Sequence, residues 1–281
     1  MQLGAHVSIA GGFERAPKAG KYIGCEAIQI FSRSPRMLRR TRPIDPEEAL
    51  AFRDGLKAAN IKTAVTHGNY LINLASPQTR LLRVSRTAFV EELERAEVLG
   101  CSYVIFHPGA HMGAGDARAL KKIAAGLDWA FGKAKASRVV GLLENTAGQG
   151  TVVGSTFDHL REIIDRSSAS DRLGVCVDTC HTLAAGYDFR TREGYESLWK
   201  AVDSTLGLSR VKAFHLNDST DELGSHVDRH ETIGRGKVGK EPFRWLVNDE
   251  RFAACPGLLE TPGNDRAFKR NLKLLKSLRS P

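Results

Sequence analysis

Short apolar runs alternate along the chain with longer segments in which apolar residues recur every three or four positions. The short runs predict buried strands, because each holds only a few apolar residues before turn-forming residues interrupt it. The longer segments predict helices with one apolar face. In residues 76–99, for example, Phe89, Leu93 and Ala96 fall on one side of a helix that Gly100 ends. The pattern therefore predicts strand and helix in regular alternation.

Eight predicted strands alternate with eight predicted helices. The strands lie at residues 2–8, 27–31, 62–66, 103–106, 139–143, 173–177, 210–214 and 258–259. The helices lie at residues 13–19, 46–59, 76–99, 116–136, 155–166, 193–206, 242–247 and 265–278. This order favours an α/β protein folded as a single TIM (β/α)8 barrel over residues 1–281. The alternative is a doubly wound open sheet, but no GxGxxG phosphate loop follows the first strand and no linker divides the chain.

Side chains that bind metals stand at or just after the end of each strand from the third to the eighth. They are His67, His107, Glu144, Asp178, His181, His215, Asp228, His230 and Glu260. Because the carboxyl ends of all strands in a barrel face one rim, we expect these side chains to converge there. Crowded imidazoles and carboxylates need a compensating charge, which metal ions supply. Nine ligands exceed the needs of one tetrahedral zinc and predict a cluster of two or three metals.

One loop holds three of these ligands, since His215, Asp228 and His230 lie within sixteen residues. Asp228 and His230 are two positions apart, so both side chains point to the same side of an extended backbone. Taken alone, the loop is equally compatible with a polar connection that carries a structural histidine. The ligands that follow the other strands favour the metal site.

Charge and cysteine content narrow the classes of function. The formal net charge is +9 and the sequence pI is about 9.4, which favours an anionic partner such as nucleic acid. Five cysteines at irregular spacing indicate reduced thiols. No apolar run approaches the ~20 residues that a membrane helix needs, and no basic segment followed by an apolar one opens the chain. We therefore expect a soluble, cytoplasmic protein.

Three motifs resemble the endonuclease IV family of apurinic/apyrimidinic (AP) endonucleases, also called AP endonuclease family 2. They are HGNYLINLAS at residues 67–76, GVCVDTCHT at 174–182 and HLNDSTDELGSHVDRHETIGRG at 215–236. The likeness runs from GAHVSIAGG near the start to LLETPG near the end. It implies a zinc-dependent DNA-repair hydrolase that cuts the phosphodiester 5′ to AP sites in double-stranded DNA. The products would be a 3′-hydroxyl and a 5′-deoxyribose phosphate, and 3′-end trimming and a monomeric state are expected as well.

The resemblance also assigns the nine rim ligands to three zinc ions. The three sets are His67, His107 and Glu144; Asp178, His215 and Glu260; and His181, Asp228 and His230. Glu144 would bridge the first and second zinc, and Glu260 would be a ligand that helps to orient water. A hydroxide shared by two zinc ions would attack phosphorus. Glu144 and Glu260 are the candidate catalytic residues, because Glu144 would bridge these two ions and Glu260 would help to orient the water.

A basic loop after the second strand is the first candidate for DNA contacts. Arg33, Arg36 and Arg39 lie in this loop, where guanidinium groups can meet phosphates. His6 ends the first strand and is a candidate donor to the site or to a phosphate. Leu38 departs from the family, whose members commonly have tryptophan there, and this departure concerns how the DNA is bent.

A Tyr-Leu pair is the second candidate. In the family, such a pair and an arginine of the basic loop enter the DNA at the abasic site, and Tyr70, Leu71 and Arg36 match those positions. Wedge side chains of this kind kink DNA, which costs less where a base is missing. The alternative is that Tyr70 and Leu71 merely begin the apolar run LINLA. Gly68-Asn69 replaces the small-Pro or Asp-Ser pair that relatives have before the tyrosine.

Two other classes of function remain as alternatives. A metal-dependent sugar isomerase or epimerase on a related barrel would not need nine ligands, an arginine-rich loop or a charge of +9. A non-catalytic DNA-binding protein with structural zinc would use closed sites rich in cysteine, whereas histidine and carboxylate ligands suit open metal positions. Cleavage of a duplex with one abasic analogue separates the three.

Overall fold

Eight parallel strands close into a barrel in the computed structural model, which describes residues 1–38 and 41–280. The barrel strands are β1 (Gln2–His6), β2 (Ala27–Phe31), β3 (Thr63–His67), β4 (Tyr103–Phe106), β5 (Val140–Glu144), β6 (Leu173–Asp178), β7 (Val211–His215) and β10 (Pro256–Leu259). Each strand pairs in parallel with its neighbours, and β1 closes the ring between β2 and β10. The predicted TIM barrel is confirmed.

Helices follow the barrel strands and surround them. They are α1 (Arg15–Ile23), α2 (Pro46–Ala58), α3 (Thr79–Leu99), α4 (Asp116–Lys133), α5 (Phe157–Arg166), α6 (Thr179–Ala184), α7 (Arg192–Leu206), α8 (Glu241–Val247) and α9 (Asp265–Ser277). The Asp45 side chain caps α2, and Pro46 occupies the first position of that helix. Gly100 ends α3 in the left-handed conformation at φ 74°, which costs glycine little.

Two local elements differ from the sequence prediction. The first is α6, a short helix that begins directly after β6 because the Asp178 side chain accepts a hydrogen bond from the His181 amide. The second is an antiparallel pair, β8 (Asp218–Ser219) and β9 (His230–Glu231), inside the loop that follows β7. Both elements are too short for a periodic pattern, and both carry or flank rim ligands.

The apolar core has two layers, and the inner one fills the barrel. The inner layer takes one residue from each of seven strands: Ala27, Val65, Ile105, Leu142, Cys176, Ala213 and Leu258. The outer layer lies between strands and helices and includes buried aromatic side chains such as Phe52, Phe89 and Phe214. Because the interior is packed with side chains, polar groups at the strand ends face the rim and not a channel.

The cysteines are free, and four of the five are buried. Burial raises the pKa of Cys101 and of Cys176 to about 12, so both thiols stay protonated and act as small packing residues. Within the described residues, no helix is long and apolar enough to cross a membrane.

Candidate metal centre

Strand ends bring the predicted ligands to one rim. His67, Glu144, Asp178 and His215 are the last residues of β3, β5, β6 and β7, and Glu260 directly follows β10. The ligand atoms form three groups, each with its atoms within 4.8 Å of one another. The groups are His67, His107 and Glu144; Glu144, Asp178, His215 and Glu260; and Asp178, His181 and His230. The rim therefore has three adjoining groups of side chains that could each hold a metal ion.

Glu144 lies at the centre of the rim and belongs to two of the groups. Its Oε2 is 3.1 Å from His67 Nε2 and 3.2 Å from His107 Nε2. Its Oε1 is 2.8 Å from His215 Nδ1 and 3.4 Å from His181 Nδ1. The side chain is fully buried. One carboxylate thus presents a different oxygen to each of two metal positions.

Asp228 adjoins the third group from the loop after β7. Its Oδ1 is 3.1 Å from His181 Nε2 and 3.4 Å from His230 Nε2. Both of these imidazole nitrogens are buried and lack a hydrogen-bond partner within the described part of the chain. A buried polar atom without a partner is costly unless something else satisfies it. Two such nitrogens beside one carboxylate fit a cation.

Backbone carbonyls fix the tautomer of three ligand histidines. The Nδ1 atoms of His67, His181 and His230 lie 2.8, 2.9 and 3.3 Å from the carbonyl oxygens of Gly68, Asn145 and Glu260. A carbonyl can only accept, so each Nδ1 carries a proton and Nε2 is the nitrogen left to bind a metal. Metal-binding histidines are held in this way.

The electrostatics of the rim also call for positive charge. Burial alone would raise the pKa of Glu144, but the facing imidazoles of His215 and His107 outweigh it and hold that pKa well below its usual range. For His181, burial would lower the pKa, but Asp178 and Asp228 raise it well above the ordinary value. The lowered pKa of Glu144 and the raised pKa of His181 favour a protonated imidazole beside an ionised carboxylate, and a metal ion would take the place of that proton.

Two buried asparagines support the ligands and were not identified from the sequence. Asn217 donates from Nδ2 to Asp178 Oδ2 at 2.7 Å and accepts at Oδ1 from the Glu260 amide at 2.9 Å. Asn145 accepts at Oδ1 from the Asp178 amide at 2.7 Å. Asn145 directly follows the ligand Glu144, and Asn217 lies two residues after His215. Their position next to a ligand in the sequence is the feature that could have identified them.

Asp218 organises the loop that carries two ligands, and it too was missed. The carboxylate is fully buried and accepts from five backbone amides, those of Ser219, Gly234, Gly236, Val238 and Gly239. Gly236 is required at its position, because a Cβ there would lie 2.2 Å from the Ser219 carbonyl oxygen. The loop is therefore ordered around the Asp218 carboxylate, with Asp228 and His230 on the side that faces the rim.

Tyr70 and Leu71 lie exposed beside the metal groups. Their exposed fractions are 58% and 47%, and the Tyr70 ring centroid is 5.6 Å from that of His67. Buried Asn69 joins this segment to the basic loop, since its Nδ2 donates to the Ser34 and Met37 carbonyl oxygens at 2.8 and 2.9 Å. Two large apolar side chains in water beside a polar site are available to a ligand.

The residues of the basic loop have different environments. Arg36 is exposed in the segment that Asn69 joins to Tyr70, and Leu38 is half-buried against the apolar core. Arg39 lies outside the described residues. His6 is half-buried, with Nδ1 2.8 Å from Gln29 Nε2 and 3.4 Å from Glu260 Oε1.

The prediction that Arg33 contacts a DNA phosphate requires a correction. Its guanidinium is buried and donates to Glu91 at 2.7 Å, to Glu92 at 2.8 Å and to the Ala88 carbonyl oxygen at 2.9 Å. All three partners belong to α3, so the side chain fastens the loop to that helix and does not face a phosphate. The sequence did not reveal this role, because the partners lie more than fifty residues away.

Comparisons with known proteins agree with this geometry. The family model described as xylose isomerase-like TIM barrel matches residues 17–278. The chain is 46% identical over 279 residues to probable endonuclease 4 of Chloroflexus aurantiacus, covering 99% of this chain and 98% of the relative. The crystal structure of endonuclease IV from Thermus thermophilus matches with a TM-score of 0.88 and 36% identity, over 99% of this chain and 98% of that one.

A likeness to a different class of protein shows the fold alone. A D-tagatose 3-epimerase-like protein matches with a TM-score of 0.76, but its sequence is only 19% identical over 99% of this chain and 97% of that one. The full-length similarity to the endonucleases is much closer, and it accompanies three ligand groups on the rim. The chain therefore belongs to the endonuclease IV family of AP endonucleases.

Proposed function

We propose that this DNA-repair endonuclease hydrolyses the phosphodiester 5′ to abasic sites in double-stranded DNA, leaving a 3′-hydroxyl and a 5′-deoxyribose phosphate. Trimming of blocked 3′ ends is part of the proposal, because it is hydrolysis of the same kind of bond. The observation that carries the proposal is the convergence of three ligand groups on a rim where Tyr70 contacts His67 and where Tyr70 and Leu71 are exposed.

The ligand groups would hold three zinc ions. We assign His67, His107 and Glu144 to the first, Asp178, His215 and Glu260 with Glu144 to the second, and His181, Asp228 and His230 to the third. When bound, the zinc ions act as Lewis acids that polarise the phosphate and make water nucleophilic near neutral pH. Imidazole and carboxylate ligands suit zinc at sites that keep an open position.

The charge balance of the ligands favours a phosphate substrate. The four carboxylates are Glu144, Asp178, Asp228 and Glu260. Three divalent ions carry six positive charges against these four negative ones, so the loaded rim keeps roughly two positive charges. Such a rim attracts a phosphodiester, while a neutral sugar gains little from it. The net charge of +9 over the whole chain acts in the same direction.

The accessible ligands distinguish this site from a closed structural one. The His107 side chain is 33% exposed and that of Asp228 is 39% exposed, whereas Glu144 between them is buried. Solvent thus reaches the outer face of the first and third groups, where a phosphate oxygen could bind. This arrangement supports hydrolysis over a purely structural role for zinc.

Tyr70 and Leu71 would recognise the missing base. The Tyr70 ring lies next to the first ligand group and Leu71 is its exposed neighbour in the chain, so a wedge entering the duplex there would lie beside the bound phosphate. Insertion into base pairs costs a few kcal/mol in intact DNA and less where one base is absent. Arg36 is free to contact a phosphate or the opened stack.

The experiment is incubation of the zinc-loaded protein with a duplex that carries one tetrahydrofuran abasic analogue. We expect a single cut 5′ to the analogue, with a 3′-hydroxyl end that a polymerase extends. An intact duplex of the same sequence and the chelator-treated protein serve as controls. The proposal fails if the abasic strand stays intact while the same preparation interconverts a ketose and its epimer.

A further inference from the structure

His215 is oriented differently from His67, His181 and His230, whose Nδ1 atoms face backbone carbonyls. Its Nδ1, and not its Nε2, faces the ligand carboxylates, at 2.8 Å from Glu144, 3.5 Å from Glu260 and 3.9 Å from Asp178. To bind a metal from this side, His215 must carry its proton on Nε2. The partner that accepts this proton cannot be a backbone carbonyl of the kind used by His67, because Nε2 faces the side chain of Gln29.

Gln29 is a buried amide in a place where an apolar side chain would fill the barrel. Its strand neighbours Ile28 and Ile30 pack outward against the helices, so Gln29 points inward at the barrel mouth. The side chain is 0% exposed. A buried amide is tolerated when its donors and acceptor have hydrogen-bond partners, and here both the nitrogen and the oxygen of the Gln29 amide have them.

The contacts of Gln29 determine which way its amide points. Nε2 lies 2.5 Å from Glu260 Oε1 and 2.8 Å from His6 Nδ1, while Oε1 lies 2.9 Å from His215 Nε2. The opposite orientation would set the amide oxygen against the carboxylate of Glu260, where both groups only accept. The amide NH2 therefore donates to Glu260, and Oε1 must accept the Nε2 proton of His215.

We propose that Gln29 is a positioning residue for the second metal. Its amide oxygen holds the proton of His215 on Nε2, so that the Nδ1 lone pair faces the metal. Its NH2 group holds Glu260 Oε1, which leaves Oε2 directed toward the same position. One side chain thereby sets two ligands at once. This inference rests on the proposed function, because it presumes that the rim binds metal.

The first test measures zinc affinity in Gln29→Met, which keeps the side-chain length and removes both hydrogen bonds. Partners that orient metal ligands typically contribute about 10–100-fold to affinity. We therefore expect one of the bound zinc ions to be held about 10–100-fold more weakly in competition with a chelator. Asn248→Ala is the matched control. The Asn248 side chain also makes hydrogen bonds through both its nitrogen and its oxygen, but it lies far from the rim, between α8 and the C-terminal residues. Unchanged affinity in a folded Gln29→Met would overturn the proposal.

The second test reads the His215 ring directly by 15N NMR of the zinc-loaded protein labelled at histidine. In the wild type we expect zinc on Nδ1 and a slowly exchanging proton on Nε2. Gln29→Glu still has an oxygen that accepts this proton and should keep it protected, whereas Gln29→Met should lose the protection. Ligation through Nε2 in the wild type, or an equally protected proton in Gln29→Met, contradicts the role of Gln29.

The failures of the two proposals are distinguishable. A wild-type protein that takes up no zinc overturns the metal centre, and the role of Gln29 with it. A protein that takes up zinc and cuts the abasic duplex, but with His215 bound through Nε2, overturns the role of Gln29 alone. If Gln29→Met does not fold, the wild-type NMR measurement still decides between these outcomes.

Discussion

At the scale of single residues, buried carboxylates control the chemistry of the rim. Glu144 and Asp178 are fully buried, and Glu260 is mostly buried beside them. Burial would raise the pKa of Glu260, but the facing imidazole of His215 lowers it far below its ordinary value. Glu144 and Glu260 favour the ionised form, because the facing imidazole of His215 lowers the pKa of both. Replacing one therefore changes the charge available to the metals more than it changes the shape of the site.

Glu260→Gln tests this charge directly. The amide keeps the size of the side chain, so we expect a folded protein. Incision of abasic duplex should fall by roughly two orders of magnitude or more, because the second metal loses a negative ligand. Glu26→Gln is a matched control, since Glu26 pairs with Arg279 at the opposite end of the barrel. Full activity in Glu260→Gln would remove this residue from the site.

Metal binding should release protons. The pKa of His181 is raised above the ordinary value of 6.5, because Asp178, Asp228 and Glu144 overcome the effect of burial. In metal-free protein at pH 7 this imidazole is protonated, so zinc must displace its proton. Zinc affinity should accordingly increase with pH until the raised pKa of His181 is passed, which is a higher pH than for an ordinary histidine. Calorimetry in two buffers of different ionisation enthalpy measures the release, and equal heats in both would contradict this.

Single ligands could be predicted from the sequence, whereas their partners could not. A histidine or carboxylate at a strand end is recognisable, because apolar residues normally finish a buried strand. The role of Gln29 depends on two ligands that lie more than 180 residues away in the sequence. The Arg33 prediction was wrong for the same reason, since the carboxylates of Glu91 and Glu92 belong to a distant helix.

At the scale of elements, the loop after β7 depends on one carboxylate. In Asp218→Asn the NH2 group would face backbone amides that also donate, so part of the five-amide arrangement must break. We expect the loop to loosen and the third zinc to be lost while the barrel remains folded. Elemental analysis and limited proteolysis of the loop measure both effects. Glu222→Gln in the same loop is the control, and equal zinc content in both variants would contradict the expectation.

The segment after β3 carries the proposed wedge. Tyr70→Ala combined with Leu71→Ala should weaken binding to abasic duplex roughly ten- to hundredfold, because each lost stacking contact costs ~1–3 kcal/mol. Zinc content and binding to intact duplex should stay the same, since neither side chain is a ligand. Tyr22→Ala with Leu50→Ala is the control and removes side chains that are similarly exposed, at 51% and 52%. An equal loss on intact and abasic DNA would assign the pair to general binding.

At the scale of the whole molecule, barrel closure joins residues that are far apart in the chain. His67 and Glu260 meet at one rim because parallel strands all end on the same side. This part of the fold follows from the alternation of apolar runs with amphipathic segments, and the prediction was confirmed. The α6 helix and the β8–β9 pair could not be predicted, because Asp178 and Asp218 stabilise them through local hydrogen bonds. A monomeric state stays a prediction.

The most direct test of the central claim is a zinc titration of metal-free protein while incision of the tetrahydrofuran duplex is followed. The three ligand groups adjoin one another and share Glu144 and Asp178, so they should act as one centre. We expect incision to rise with added zinc and to reach its maximum at about three equivalents per chain. Maximal incision at one equivalent or fewer, or no incision at any zinc content, would contradict the account.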